Sequence, residues 1–129
     1  MPIAGLGTEI VQISRIERSL ARSPALAERV LTADELADFQ AHAQPARFLA
    51  KRFAAKEAAA KAFGTGIGRG VSWQQMQIDH DEFGAPLLVC TGFSQQLLQQ
   101  RGVSRCWLSI SDEQDYACAT VVLECSEAR

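Results

Sequence analysis

Arg47–Gly68 reads RFLAKRFAAKEAAAKAFGTGIG, a run of strong helix formers that meets a glycine and passes into a loop with almost no side chains. Pro45 suits the first turn of a helix and Gly64 the position just past its end, so the pattern predicts a long helix from about Ala46 to Phe63. At ~100° per residue, Arg47, Lys51, Glu57 and Lys61 share one stripe, and Arg52 and Lys56 fall on another side. Leu49, Phe53 and Ala60 make the expected core side. Ala50, Ala54 and Ala58 lie among the charged stripe, where their small size leaves room for a ligand.

Glu57 and Lys61 admit two readings. The plain one is an i,i+4 helix pair worth roughly 0.2–0.5 kcal/mol on a solvated face. The sharper one makes Glu57 a metal ligand or general base and Lys61 a phosphate or leaving-group contact, set side by side by the same spacing. Behind them, GTGIGRG lacks the G-x-x-x-x-G-K-[ST] pattern and follows a helix rather than opening one, so it is not a P-loop. A helix C-terminus carries partial negative charge, which Lys61 in the last turn offsets. Gly64, Gly66, Gly68 and Gly70 are a helix stop with a tight turn, a close approach for a ligand, or both.

Upstream, GLGTEIVQISRIERSLAR (Gly5–Arg22) reads as the end of a short strand, Ile3 to Leu6, turned by Gly7 and Thr8 into a helix. Ile10, Ile13, Ile16 and Leu20 recur at helical spacing, Thr8 is the expected cap and Pro24 the expected stop. Glu9 then opens that helix, where an acid complements the dipole. It is also a partner for Glu57, because Mg²⁺ takes one or two carboxylates with waters and substrate phosphates. Arg15, Arg18 and Arg22 lie within ~60° of one another opposite the isoleucines, either facing solvent or docking an acidic partner.

Thr32 followed three residues later by Glu35 has the form of a capping box, opening a second helix that fades near AHAQP. Trp73–Cys90 offers two strands joined through Asp81–Gly84, a helix follows over Ser94–Arg101, and Cys106–Glu124 alternates around DEQD as a closing antiparallel hairpin. This order lacks regular βαβ alternation. It predicts an α+β fold with helices packed on a small antiparallel sheet, a single domain over residues 1–129.

Composition sets the outer bounds. A chain of 129 residues, 47% hydrophobic, is long enough for its own core. Its formal charge of −2 lacks the broad positive field of non-specific nucleic-acid binding. Cys90, Cys106, Cys118 and Cys125 form no C-x-x-C pair and read as small buried hydrophobes with free thiols. With no signal peptide at the start, a reducing cytoplasm is the expected setting. No apolar run approaches the roughly 20 residues of a membrane-spanning helix, so a soluble protein is expected. His42 and His80 read as surface residues, and Ser109 and Ser111 lack a G-x-S-x-G setting.

Three stretches, GLGTEIVQISRIE, RFLAKRFAAKEAAAKAFGTGIG and LSISDEQDYACATVV, together resemble the holo-[acyl-carrier-protein] synthases, in the same order and over essentially the whole chain. The K-E-A-x-x-K segment (Lys56, Glu57, Ala58, Lys61) with the G-x-G-x-[DE]-I turn is the signature of small phosphopantetheinyl transferases. The resemblance implies Mg²⁺-dependent transfer of 4′-phosphopantetheine from coenzyme A to a serine of apo-acyl carrier protein, in support of fatty acid biosynthesis. It implies Glu9 and Glu57 as metal ligands, and Glu57 as the base that takes the serine proton, directly or through a water. Lys61, Arg52, Gly64 and Gly66 are the implied coenzyme A contacts, and Arg15 and Arg22 the implied docking residues for the acidic carrier protein. Homotrimers with shared active sites are typical of this subclass and are expected here.

Two departures from the family stand out. Aspartate is usual where this chain has Glu9, and one more methylene must be absorbed by the near-ideal shell of Mg²⁺. Many members carry histidine at Asp112, and an anion there cannot attract phosphate, so that contact is not expected. A non-catalytic carrier-protein or nucleotide-binding module, or a purely structural assembly protein, remain open readings.

Overall fold

The structure is a computed structural model and describes residues 2–126. Its elements run β1 (Ile3–Gln12), α1 (Ile13–Arg22), α2 (Ala25–Val30), α3 (Ala33–Ala41), α4 (Pro45–Phe63), a 3-10 turn at Trp73–Gln75, β2 (Met76–His80), β3 (Pro86–Cys90), α5 (Gly92–Gln100), β4 (Val103–Asp112) and β5 (Tyr116–Cys125). β1, β5 and β4 form one antiparallel sheet in that order, while β2 and β3 form a separate two-stranded ribbon. The predicted α+β class holds, with two small sheets where one was expected.

α4 is the axis of the fold. Pro45 sits in its first turn, and Gly64, at φ 80°, ends it with a left-handed cap that returns the Gly64 and Gly66 amides to Lys61 and Ala60 carbonyls. The helix is buried on most of its circumference, and Ala50, Ala54, Ala55, Ala58 and Ala59 are completely enclosed. This corrects one expectation: the alanines leave room for protein, not for a ligand. Their small side chains let the sheet lie close over the helix.

β1 shows why. The strand does not stop at Leu6 but continues to Gln12, pairing with β5 from Leu6↔Val122 to Gln12↔Tyr116. Helix α1 begins only at Ile13, and Thr8 is not its cap. Along the strand Gly5, Gly7, Glu9 and Val11 alternate on the face toward α4, with Leu6, Thr8 and Ile10 on the other. A β-carbon on Gly5 would collide with the Ala62 backbone, and one on Gly7 with the backbone of Ala58 and Ala62. Gly7 therefore serves a close helix–strand approach rather than a turn. Ile10, which matched the helical spacing of Ile13 and Ile16, stands 63% exposed on the outer sheet face.

The remaining expectations hold with small shifts. Thr32 caps α3 in a full capping box with Glu35, and Pro24 separates α1 from the short α2 that the pattern did not signal. The hairpin at Asp81–Gly84 and the closing β4–β5 hairpin form as read. All four cysteines are free and half-buried, and burial beside Cys106 pushes the Cys90 thiol up to about 12. No helix among the described residues is long and apolar enough to cross a membrane.

Candidate active site

The close approach of β1 to α4 assembles the site. Two residues after Gly7 on the same strand face comes Glu9, and on α4 the turn beside Ala58 and Ala62 carries Glu57 and Lys61. Lys61 Nζ lies 2.6 Å from Glu9 Oε1 and donates to the Thr8 carbonyl at 3.1 Å. The i,i+4 partner expected for Lys61, Glu57, does not hold it. Instead the lysine crosses to the strand and leaves Glu57 without an ion-pair partner among the described residues.

That arrangement loads the Glu57 carboxyl. Partial burial raises its pKa, the neighbouring negative charge of Glu9 raises it further, and Lys61 only partly offsets both. The Lys61 pKa is raised as well, by its bond to Glu9, which favours its charged form. Two half-buried carboxylates repelling each other beside one ammonium form a hard oxygen donor set with negative charge to spare. No cluster of three or more His, Cys, Asp or Glu side chains that could hold a metal occurs among the described residues. A site of one or two carboxylates suits Mg²⁺, which keeps waters and phosphate oxygens for its other positions, so Glu9 and Glu57 fit that ion.

The loop after α4 lies open beside this cluster. Gly64, Gly66, Gly68 and Gly70 all have positive φ, and β-carbons on the first three would meet nothing within 4 Å. The loop closes through the Gly68–Val71 bridge, whose turn forces Arg69 to φ 54°.

Toward the start of α4 a second cluster sits on the same stripe. Arg47 donates to Asp112 Oδ2 at 2.9 Å and to the carbonyls of Glu113 and Gln114, and Lys51 Nζ lies 3.6 Å from Asp112 Oδ1. Asp112 is thus an internal counter-ion for two cations. Next to them a cavity of about 220 Å³ is lined by Arg47, Lys51, Arg52, Phe48, His42 and His80. Arg52 is 6% exposed and stacked 4.5 Å over Phe48, and its buried Nε makes no hydrogen bond but lies 3.6 Å from Glu35 Oε2. A helix rise of 1.5 Å per residue puts this cavity ~15–20 Å from Lys61 along α4. Arg52 is therefore not part of the Glu9–Glu57–Lys61 group, although it faces a cationic cavity of its own. The two histidines are exposed as expected, yet both line that cavity, and burial with the nearby Arg52 and Lys51 pulls the His80 pKa down.

Arg15, Arg18 and Arg22 stand on the solvent side of α1 and line a groove of about 340 Å³ floored by Val11, Ile16 and Phe53. The sequence reading set Lys56 on another side of the helix from Glu57 and gave it no role: it is fully buried, 2.6 Å from Glu35 Oε1. The signal was available, since Leu49, Lys56 and Phe63 are seven residues apart and nearly eclipse one another around the helix, so Lys56 lies between two core residues.

Comparison with known proteins agrees with this geometry. A family profile described as the 4′-phosphopantetheinyl transferase superfamily matches residues 5–121. The holo-[acyl-carrier-protein] synthase of Alteromonas mediterranea is 55% identical over 124 residues, covering 96% of this chain and 98% of its own. The crystal structure of the synthase from Neisseria meningitidis superposes with a TM-score of 0.90 at 45% identity, covering 95% of this chain and 99% of that one. The Bacillus anthracis synthase, solved in complex with CoA (3′,5′-ADP), gives 0.81 at 36% identity over 96% and 98%. With its glycine-packed strand, its paired carboxylates and its central helix, the chain belongs to the 4′-phosphopantetheinyl transferase superfamily and, within it, to the holo-[acyl-carrier-protein] synthases.

Proposed function

We propose that the enzyme moves 4′-phosphopantetheine from coenzyme A to a serine hydroxyl of an acidic apo-acyl carrier protein, in a Mg²⁺-dependent reaction serving fatty acid biosynthesis in the cytoplasm. The observation that carries this reading is the convergence of Glu9, Glu57 and Lys61 beside an open glycine loop. Glu9 and Glu57 would hold the ion. When bound, Mg²⁺ supplies positive charge to the non-bridging oxygens of the diphosphate.

Glu57, its basicity raised by partial burial and by Glu9, takes the serine proton. The serine oxygen bonds to the β-phosphorus, the bond from that phosphorus to the bridging oxygen breaks, and adenosine 3′,5′-bisphosphate leaves with the electron pair. Lys61 neutralises negative charge on that departing side. Gly64 and Gly66 admit the cofactor backbone without side-chain obstruction. The cavity lined by Arg47, Lys51 and Arg52, three cations against Asp112, suits a phosphate of the nucleotide. Arg15 and Arg22 offer the acidic carrier protein a positive edge with an apolar floor.

The outer face of the three-stranded sheet supports a homotrimer with shared sites. Leu6, Val122 and Trp107 form one row, and Ile10, Cys118 and Ser111 another, with Leu6 and Ile10 over 60% exposed. Such an apolar sheet face calls for cover.

Mixing the protein with apo-carrier protein, coenzyme A and Mg²⁺ tests the whole reading by mass spectrometry. The expected result is a gain of one phosphopantetheine on the carrier serine, lost with a chelator and restored by Mg²⁺. An unchanged carrier mass while coenzyme A still binds would favour the non-catalytic binding module.

A further inference from the structure

Lys56 sits immediately before Glu57 yet points about 100° away around α4, into a fully enclosed setting. Its ammonium has three protons and three acceptors: the Val30 carbonyl at 2.7 Å, Glu35 Oε1 at 2.6 Å and the Trp73 carbonyl at 3.2 Å. Glu35 is well partnered in turn, with buried Arg52 as its second cation, Nε 3.6 Å from Oε2. Its Oε1 accepts from the Thr32 amide at 3.0 Å and its Oε2 from the Ile78 amide at 2.8 Å.

These bonds meet at one place, the C-terminus of α2, whose last carbonyls need partners. Lys56 takes that of Val30. The side-chain amide of Gln74, on the 3-10 turn, takes those of Glu28, Arg29 and Leu31 at 2.6–3.2 Å. A cation and an amide donor thus close a six-residue helix that has no room to cap itself.

The consequence reaches the glycine loop. Its near end is fixed to α4 where Gly64 and Gly66 bond to Lys61 and Ala60. Its far end, at Trp73, is held to the same helix by Lys56, five residues before Lys61, and by the stacking of its ring on Phe53, centroids 5.4 Å apart. Inside the loop, the Gly68–Val71 bridge, the buried Val71, Ile67 packed on the core and the Gln75 amide on the Gly70 carbonyl at 3.0 Å also hold it. Its standing position over α4 depends on these contacts together with the two anchors.

We propose that Lys56, with Gln74, is a positioning residue for the glycine loop, tying its far end to the helix turn that carries Glu57 and so setting where coenzyme A is held. The K-E pair of the signature would then serve two compartments, Glu57 facing the substrate and Lys56 holding the loop from behind. This rests on the coenzyme A reading above.

Two variants separate loop anchorage from plain stability. Glu35→Leu/Lys56→Met replaces the ammonium and its carboxylate with apolar groups of similar size and also takes the counter-ion from buried Arg52, whose Nε lies 3.6 Å from Glu35 Oε2. Gln74→Ala removes an exposed side chain and leaves the buried pair intact. The measurements are calorimetric binding of coenzyme A, steady-state kinetics with carrier protein, and amide exchange of residues 66–72. The double variant is expected to raise KM and Kd for coenzyme A about tenfold, and Gln74→Ala about threefold, with kcat changed by less than about threefold and faster loop exchange in both. If the double variant does not fold, Gln74→Ala decides alone. Wild-type protein that binds coenzyme A while the folded variants bind equally well overturns this inference only. Wild-type protein that fails to bind overturns the coenzyme A reading, and this inference with it.

Discussion

Lys56 and Glu57 are consecutive on one helix and each neighbours an oppositely charged group, yet their surroundings differ in every respect. On the inner side, the Lys56–Glu35 pair is closed to water, Lys56 donates all three of its protons to the protein, and Arg52 adds a second buried cation 3.6 Å from Glu35. On the outer side, Lys61 has bonded across to Glu9 and Thr8, while Glu57 faces an open loop with its carboxyl pushed up by burial and by Glu9. The saturated side has nothing left to offer a ligand. The unsaturated side keeps a base and a surplus of negative charge, which is what a cation and a phosphoryl acceptor require.

The sharpest way to break this contrast is Glu57→Gln. Turnover with carrier protein is expected to fall about 10²–10⁴-fold while the melting temperature stays close to that of the wild type. Near-normal turnover with Mg²⁺ binding intact would remove Glu57 from the chemistry.

On the inner side the expected loss is in folding. Glu35→Ala leaves Lys56 buried without its counter-ion and should cost about 3–5 kcal/mol in chemical denaturation. Burial holds the Lys56 pKa below that of a free lysine, with Glu35 opposing the shift. Without Glu35 the folded-state pKa drops further, so the unfolded chain binds more protons across the window from the folded pKa up to that of a free lysine. Stability of the variant should accordingly rise with pH through that window and lie lowest at or below neutrality. A loss independent of pH would mean that removing Glu35 leaves the protonation of Lys56 in the folded protein unchanged.

The joint between the two sides can be strained by Gly7→Ala. The added methyl meets the backbone of α4 at Ala58 and Ala62, and overpacking of this kind costs about 1–3 kcal/mol. Since the same contact holds Glu9 against Lys61, transfer activity should fall along with the melting temperature. Unchanged Mg²⁺ affinity and activity in a folded variant would show that the glycine does not set the site.

The smallest effect concerns the titration of Glu57 in metal-free protein, followed by NMR. Glu9→Gln removes a like charge and frees Lys61, so the Glu57 pKa should move down toward the ordinary carboxylate range. An upward move would mean that Lys61 shields Glu57 better when tied to Glu9 than when free.

Local rules made much of this legible in the chain. Helix propensity with Pro45 and Gly64 located α4, the Thr32–Glu35 box located α3, and alternation located both hairpins, because each depends on neighbours within a few residues. The signature residues Glu57 and Lys61 were recognisable as a candidate site from their spacing and from family likeness. What could not be read was the meaning of GLGTE: Gly5, Gly7 and Glu9 line one face of a strand only because β5 pairs along its whole length, and that pairing joins residues more than a hundred positions apart.

The same division holds for charge. The sequence by itself determined that α4 carries Arg47, Lys51, Glu57 and Lys61 on one stripe and Arg52 and Lys56 elsewhere, since helical geometry allows no other arrangement. Only the tertiary structure decided that the alanines lie under a strand, that Lys61 turns to Glu9 instead of Glu57, and that Lys56 is sealed against Glu35. The reason is that a side chain's partner is chosen by what packs against its face, and burial, which makes one ion pair structural and leaves the next available for chemistry, is a property of the whole fold.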